Sequence, residues 1–454
     1  MAVRGRGVHE YIRRGGTVTG SAQRNVVLVT YDSLRADHCG FMGYDRETTP
    51  TLDEMADSGV VFENAVASGV PTIASMTSVM TGRHSLASPE IGFNTEQREQ
   101  VTTNPTIAEV LSDAGYDTGA LSPNPPASSY FGFDEGFDWF EDYLDEDDGL
   151  IERAWNRVFR DSMEGGGAST YLRLARNVLT KNEILRPWED FYEDILAWRE
   201  QAEEPYFLWV LLLEPHHPWM PPTDYQQWSS RGDKYRAFRQ YFEMFNNGWT
   251  PEFAPAERQR LIDLYDDATR YGDEFLSRLR SDLGDDDPVI AVHADHGEEF
   301  GKHGRFGHQP FLYEDLTHVP LVLWNAGRDD RVERPVELRQ LAPTLASFGD
   351  ARDPFPVPGL LEDGDARPWA TSKVFAEGDR RVAIRTASAK YIEDPTTQEL
   401  YDLSVGGDEQ ENRYWRNDDA ASAFADARQS HVDAERERRA IDAASDDVLE
   451  GGRL

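Results

Sequence analysis

Cysteine is all but absent from this chain of 454 residues, and Cys39 is the single one. One cysteine builds no internal disulfide and no cysteine-rich zinc or iron–sulfur site. Lysine is scarce as well: only Lys181, Lys234, Lys302, Lys373 and Lys390 occur, so arginine supplies 41 of the 46 basic groups. Long apolar runs are missing. The longest, Tyr206 to Leu213, is far short of the roughly 20 residues a membrane helix needs. Basic residues number 46 against 83 acidic ones, a formal net charge of -37. That balance argues against a nucleic-acid partner, because proteins that track phosphates need a basic face.

The acid excess is spread along the chain and is not confined to one localised block. Self-repulsion on this scale destabilises a compact state at low salt and is screened in brine. The expectation is a salt-adapted cytoplasmic protein, as in haloarchaea. Arg4, Arg6, Arg13 and Arg14 open the sequence without an apolar stretch behind them. Residues 1–22 therefore read as a flexible lead-in and no export signal. At about 150 residues per domain the length admits three domains, although one large α/β domain can use most of it.

Asn25 to Tyr31 is an apolar, β-branched run of the kind found in a buried parallel strand. Pro50, capped by Thr49, starts a helix that stops before Gly59, and Val60 to Phe62 returns as strand. Thr106-Ile-Ala-Glu109 is a capping box opening a helix that Gly115 ends. Tyr206 to Leu213 and Val289 to His293 are further buried strands. Between them Leu261, Leu264, Tyr265, Ala268, Phe275 and Leu279 recur at helical spacing. Alternating strands and helices predict an α/β fold, a mostly parallel sheet sandwiched by helices. Residues 140–200 read as a helical insertion within a catalytic domain spanning 23–350. Residues 351–415 form a small α+β subdomain with short antiparallel strands from Lys373 to Leu403. The remainder, 416–454, is an acidic tail, helical or disordered.

In open parallel sheets, ligands gather at the carboxyl ends of strands. Here one strand releases Asp32-Ser33-Leu34-Arg35, the next Glu214-Pro215-His216-His217-Pro218, the third Asp295-His296-Gly297-Glu298. Asp32, Asp295 and His296 make a mixed oxygen and nitrogen set suited to one divalent cation. Thr72 to Thr81 reads as a short helix with Thr72 at its N-cap and Gly82 as its stop. Two roles stay open for Thr72: a simple cap, or a hydroxyl activated by a neighbouring metal and a helix N-terminus. His9, His38 and His431 read as surface or structural residues.

These residues resemble the sulfatase family of the alkaline phosphatase superfamily. Asn25 to Ala67 is similar to its first strand, metal-binding Asp, Leu-Arg-Ala-Asp-His turn and Thr-Pro-x-Leu-Asp helix. Ser75 and Thr81-Gly82-Arg83 match the end of its signature segment. Pro215-His216-His217-Pro218 resembles its Pro-His-x-Pro motif. Asp295-His296-Gly297 through His303-Gly304, then Leu312-Tyr313-Glu314 and Val319-Pro320-Leu321, resembles its second metal-binding segment. Glu399-Leu400-Tyr401-Asp402-Leu403 matches the end of its small C-terminal subdomain. The match runs in order over residues 25–415.

The resemblance implies an alkaline-phosphatase-like fold and one divalent metal on Asp32, Asp295 and His296, calcium by precedent. An imidazole ligand leans instead toward manganese or zinc. It also implies transfer of a sulfuryl or phosphoryl group to a nucleophile, with His216, His303 and His308 around the anion or protonating the leaving group. The substrate would be a small anionic ester, such as a sulfated or phosphorylated glycan. The chain departs from the pattern at four places. Thr72 stands where the family carries the cysteine oxidised to formylglycine, and Cys39 lies elsewhere. Ala74 and Met76 replace the signature's proline and arginine. Ser33 replaces a second metal-binding Asp, and His308 a substrate-binding lysine. Three readings follow: a metal-dependent sulfate or phosphate ester hydrolase acting through Thr72, a threonine-nucleophile phosphodiesterase or phosphotransferase, and a silent relative that binds anionic glycans.

Overall fold

A computed structural model describes residues 23–85, 95–143, 187–362, 367–376, 379–404, 409–416 and 421–433. The expected lead-in, most of the 140–200 insertion and most of the acidic tail lie outside the described residues. Of the tail, residues 421–433 are helical.

Eight strands form the main sheet: β1 (Val26–Tyr31), β2 (Val60–Phe62), β4 (Asp117–Leu121), β5 (Trp139–Glu141), β6 (Tyr206–Leu212), β7 (Val289–Ala294), β10 (Leu321–Trp324) and β11 (Asp330–Val332). Two short pairs stand apart: β3 (Ala65–Val66) with β12 (Val336–Glu337), and β8 (Glu299–Phe300) with β9 (Phe306–Gly307). The main sheet has the order β11-β2-β10-β7-β1-β6-β4-β5. Every neighbouring pair is parallel except the two made by β10, which runs antiparallel to both β2 and β7. The expected mostly parallel sheet is therefore present with one reversed strand.

Strands β1, β6 and β7 are buried at every residue, so both sheet faces are covered there. This is why they read as unbroken apolar runs. The one polar rung is fully matched. Trp209 Nε1–H donates to Thr30 Oγ1 at 3.1 Å, and Thr30 lies 2.9 Å from His293 Nε2. The His293 Nδ1–H donates to the Ala294 carbonyl, and burial lowers this imidazole to about 4.

The helix Pro255–Asp282 carries the predicted apolar stripe and packs on the helix Pro50–Asp57. The capping box opening the helix Ile107–Asp113 has both its hydrogen bonds: Glu109 N–H to Thr106 Oγ1 at 3.1 Å and Thr106 N–H to Glu109 Oε2 at 2.8 Å.

A second, four-stranded antiparallel sheet follows: β13 (Ala370–Ala376), β14 (Asp379–Arg385), β15 (Ala389–Glu393) and β16 (Gln398–Asp402). It is tied to the catalytic part by a buried ion cluster. Glu314 lies 3.0 Å from Arg385 and 2.9 Å from Lys390, and Lys390 lies 3.4 Å from Glu409. Among the described residues, no helix is long and apolar enough to cross a membrane.

Candidate active site

Strands β6, β1 and β7 are adjacent and parallel, and their register sets Leu212, Tyr31 and Ala294 side by side. The residues that follow therefore leave the sheet at one level. The ladder continues one step further: Asp32 N–H donates to Leu212 O at 2.9 Å and Asp295 N–H to Tyr31 O at 3.1 Å. This places Asp32 and Asp295 in fixed backbone positions at the carboxyl edge.

Asp32, Asp295 and His296 are fully buried, and one ligand atom of each lies within 4.8 Å of the others. Asp295 Oδ1 accepts the N–H groups of Ser33 (3.1 Å) and His296 (2.8 Å). Its Oδ2 has no hydrogen-bond partner, although His296 Nε2 is 3.4 Å away. Asp32 accepts from Ser33 Oγ at 2.8 Å and from the Asn124 amide. Burial and the facing Asp295 push the Asp32 carboxyl well above its ordinary range. Two buried carboxylates with an orphaned oxygen and an imidazole are a donor set that fits a divalent cation.

Backbone geometry supports the trio from below. Ser33 is held at φ 70°, a left-handed conformation that costs a residue with a side chain about 1–3 kcal/mol. Its N–H bond to Asp295 helps hold it there. A Cβ on Gly297 would lie 2.1 Å from the Asp315 carbonyl oxygen, so the turn after His296 requires glycine.

Thr72 meets this trio from the helix Thr72–Thr81, whose C-terminal stop is Gly82 at φ 67°. Its Oγ1 lies 3.2 Å from His296 Nε2, and Ser75 Oγ donates to the Asp295 carbonyl at 2.6 Å, pinning the helix to the end of β7. The expected N-cap role is corrected. Pro71 is the N-cap, and Thr72 is the first helical residue, with its hydroxyl turned to the trio instead of to the helix. The first N–H groups of a helix have no helical partner and favour an anion.

A second group sits beside the first. The rings of His216, His217 and His308 have centroids 4.2 to 4.8 Å apart, and His308 is 4.6 Å from His296. Buried Glu298 anchors it: Oε2 accepts Nδ1–H of His217 and Nδ1–H of His308, each at 3.2 Å. Burial opposes the Glu298 charge, but these two donors outweigh it and hold the carboxyl well below the usual range. Burial likewise lowers the three imidazoles, favouring their neutral form.

The structure thus brings together Asp32, Asp295, His296 and Thr72, with His216 and His308 next to them. His303 stands with other partners: its ring stacks on Tyr313 at 3.7 Å, and Nε2 is 3.6 Å from Glu409. His38 is structural, bonded to Asp266 at 2.6 Å, and His431 is buried against His84. Cys39 is buried, and its thiol is pushed up by burial. Sequence reasoning placed His217 and Glu298 in the strand-end segments without giving them a role, and it missed Asn124. Asn124 follows β4, the fourth parallel strand to end at this edge, so the strand-end rule contained the signal for it.

The sulfatase family model matches residues 24–351. An arylsulfatase of Clostridium perfringens is 25% identical over 389 residues, covering 74% of this chain and 77% of its own. In fold, the phosphonate monoester hydrolase of Agrobacterium radiobacter superposes with a TM-score of 0.66 at 17% identity, over 90% of this chain and 95% of that one. A protein crystallised with its substrate D-glucosamine-2-N,6-O-disulfate superposes with a TM-score of 0.64 at 16% identity, over 93% and 99%. The main sheet with its appended antiparallel sheet is an alkaline-phosphatase-like fold. The chain belongs to the sulfatase family, as an enzyme of the sulfuric ester hydrolase type.

Proposed function

We propose that the chain is a metal-dependent hydrolase of a sulfate or phosphate ester, with Thr72 Oγ1 as the nucleophile. One observation carries this reading: the Thr72 hydroxyl is buried at a helix N-terminus, 3.2 Å from His296 Nε2 in a trio that also holds the orphaned Asp295 Oδ2. A divalent cation held by Asp32, Asp295 and His296 supplies Lewis acidity and a lower pKa for the hydroxyl. Calcium suits the carboxylates of that trio, manganese or zinc its imidazole.

The chain's own residues position the reaction. Ser75 fixes the helix so that Thr72 Oγ1 lies against His296, and the helix N-terminus favours the ester's anionic oxygens. Thr72 gives up its proton to solvent as Oγ1 bonds to phosphorus or sulfur. The bond to the substrate's alcohol oxygen breaks, and the alcohol leaves with a proton from water. Water then attacks the esterified Thr72, releasing phosphate or sulfate and restoring the hydroxyl. A sulfo-threonine offers no hemiacetal-type elimination, so this chemistry favours a phosphate ester over a sulfate. The alcohol part of a sulfated or phosphorylated glycan is a fitting leaving group, supported by the disulfated glucosamine seen in a protein of the same fold.

A metal-supplemented, high-salt screen of an aryl sulfate, an aryl phosphate monoester and an aryl phosphodiester tests the proposal. Turnover of at least one, abolished in Thr72→Ala with the fold intact, is the expected result. Turnover of none, or equal turnover in Thr72→Ala, removes Thr72 as nucleophile. The first of these outcomes favours a silent glycan-binding relative.

A further inference from the structure

We propose that Trp249 determines specificity at this site: its indole is the face on which the ring of the ester's alcohol part stacks, whether that ring is aryl or pyranose. This rests on the reading of the site as one for an anionic ester and does not need Thr72 to be the nucleophile.

The backbone gives the first sign. Trp249 follows the helix Arg231–Asn246, which ends in a complete glycine stop. Gly248 is at φ 60°, its N–H donates to Phe245 O at 3.3 Å, and the Trp249 N–H donates to Met244 O at 2.7 Å. Those two bonds are the pair that closes a helix on one left-handed glycine. Trp249 is nevertheless left-handed too, at φ 65°. For a bulky residue this is an outlier costing about 1–3 kcal/mol, and such outliers cluster at active sites and ligand clamps. The Trp249 carbonyl accepts the Phe306 N–H at 2.8 Å, which ties the turn to β9.

The second sign is where this conformation sets the indole. Its ring centre lies 5.0 Å from that of His217, at the border of the imidazole group. Gly307, the residue before His308, makes the room: a Cβ there would lie 2.7 Å from Trp249 Cε3. Two unusual backbone positions, Trp249 and Gly307, thus serve one side chain. Tyr241 and Phe245 meet the indole edge-on at 5.8 and 6.2 Å, and Tyr241 lies 5.4 Å from His217. All three aromatic residues are only half-buried. Aromatic surface therefore stays open beside carboxylates, imidazoles and a hydroxyl, the mixed lining of a small-molecule site. The negative face of an aromatic ring disfavours an anion, whereas a neutral ring gains apolar contact and an offset or edge-on geometry. Of an anionic ester, the uncharged alcohol part is what these faces suit.

The test compares benzyl and ethyl esters of phosphoric and of sulfuric acid on metal-supplemented full-length protein. Both alcohols are primary, so the comparison isolates the ring. Trp249→Ala should lower the benzyl-to-ethyl ratio of kcat/KM by about fivefold to tenfold, through KM, and Trp249→Phe should keep most of it. Glucose esters on the primary hydroxyl, run beside them, distinguish a sugar from an aryl ring by which ratio falls further. Trp249→Asn, which suits a left-handed backbone, repeats the test should Trp249→Ala fail to fold. If no ester is turned over, the hydrolase reading fails by itself, and the same ratio of dissociation constants, measured by calorimetry, decides on Trp249. An unchanged ratio in folded Trp249→Ala or Trp249→Asn, or binding of none of the esters, overturns the assignment.

Discussion

The carboxylate trio and the histidine trio touch through His296 and His308, yet they are built from opposite chemistry. Asp32 and Asp295 bring two buried carboxyl groups, the Asp32 one pushed up by burial and by Asp295, and Asp295 an oxygen without a hydrogen-bond partner. His216, His217 and His308 are lowered by burial toward neutrality, and the one negative charge among them, Glu298, stands behind the rings. The first group offers a cation two carboxyl oxygens and one imidazole nitrogen together. The second offers three imidazoles, two held through Nδ1–H by Glu298 and the third by the His217 carbonyl.

The comparison breaks most sharply at Asp295. Asp295→Asn should lower kcat/KM by about a thousandfold, the scale of losing a main electrostatic stabiliser. Steady-state kinetics on the best aryl ester read this out.

A fourth carboxylate serves as the control, because Glu314 has its cations built in. Burial alone would raise it, but Arg385, Lys390 and His318 outweigh burial and hold it well below the usual range. Glu314→Gln should destabilise the protein by about 3–5 kcal/mol at neutral pH, measured by denaturant unfolding. The sign with pH follows from that lowered value. The Glu314 contribution is present above the unfolded-chain value of about 4.5 and is lost as pH falls through the folded one. The gap between wild type and Glu314→Gln should therefore close in acid.

Glu298→Gln sharpens the comparison further. It removes the charged acceptor shared by His217 and His308 and should destabilise the protein by about 1–3 kcal/mol, as denaturant unfolding would report. Ser75→Ala is the mildest change. It should cost about 1 kcal/mol of stability, and an unchanged denaturation midpoint would show that the helix needs no tie to the end of β7.

Much of this was legible from sequence because it rests on local pattern. β1, β6 and β7 carry their burial as apolar runs, and their ends carry Asp32, His216 and Asp295. The Thr106 capping box needed only four residues. What stayed hidden depends on which distant side chains meet. The direction of β10 is invisible, since an apolar strand reads alike either way along a buried sheet. Glu298 stands next to a recognised motif, but its role as shared acceptor needs His217 and His308 folded over it. His303 has the residue type and spacing of a site histidine, and its stacking on Tyr313 is a tertiary fact. Thr72 is one position past the cap, about a quarter of a helical turn, and its hydroxyl lies against His296.

The most direct test of the central claim is mass spectrometry of the Thr72 peptide after rapid acid quench of the enzyme turning over an aryl phosphate or aryl sulfate. The account predicts one added phosphoryl or sulfuryl group, located on Thr72 and absent in Thr72→Ala. An adduct on another residue, or undiminished turnover by Thr72→Ala, would contradict it.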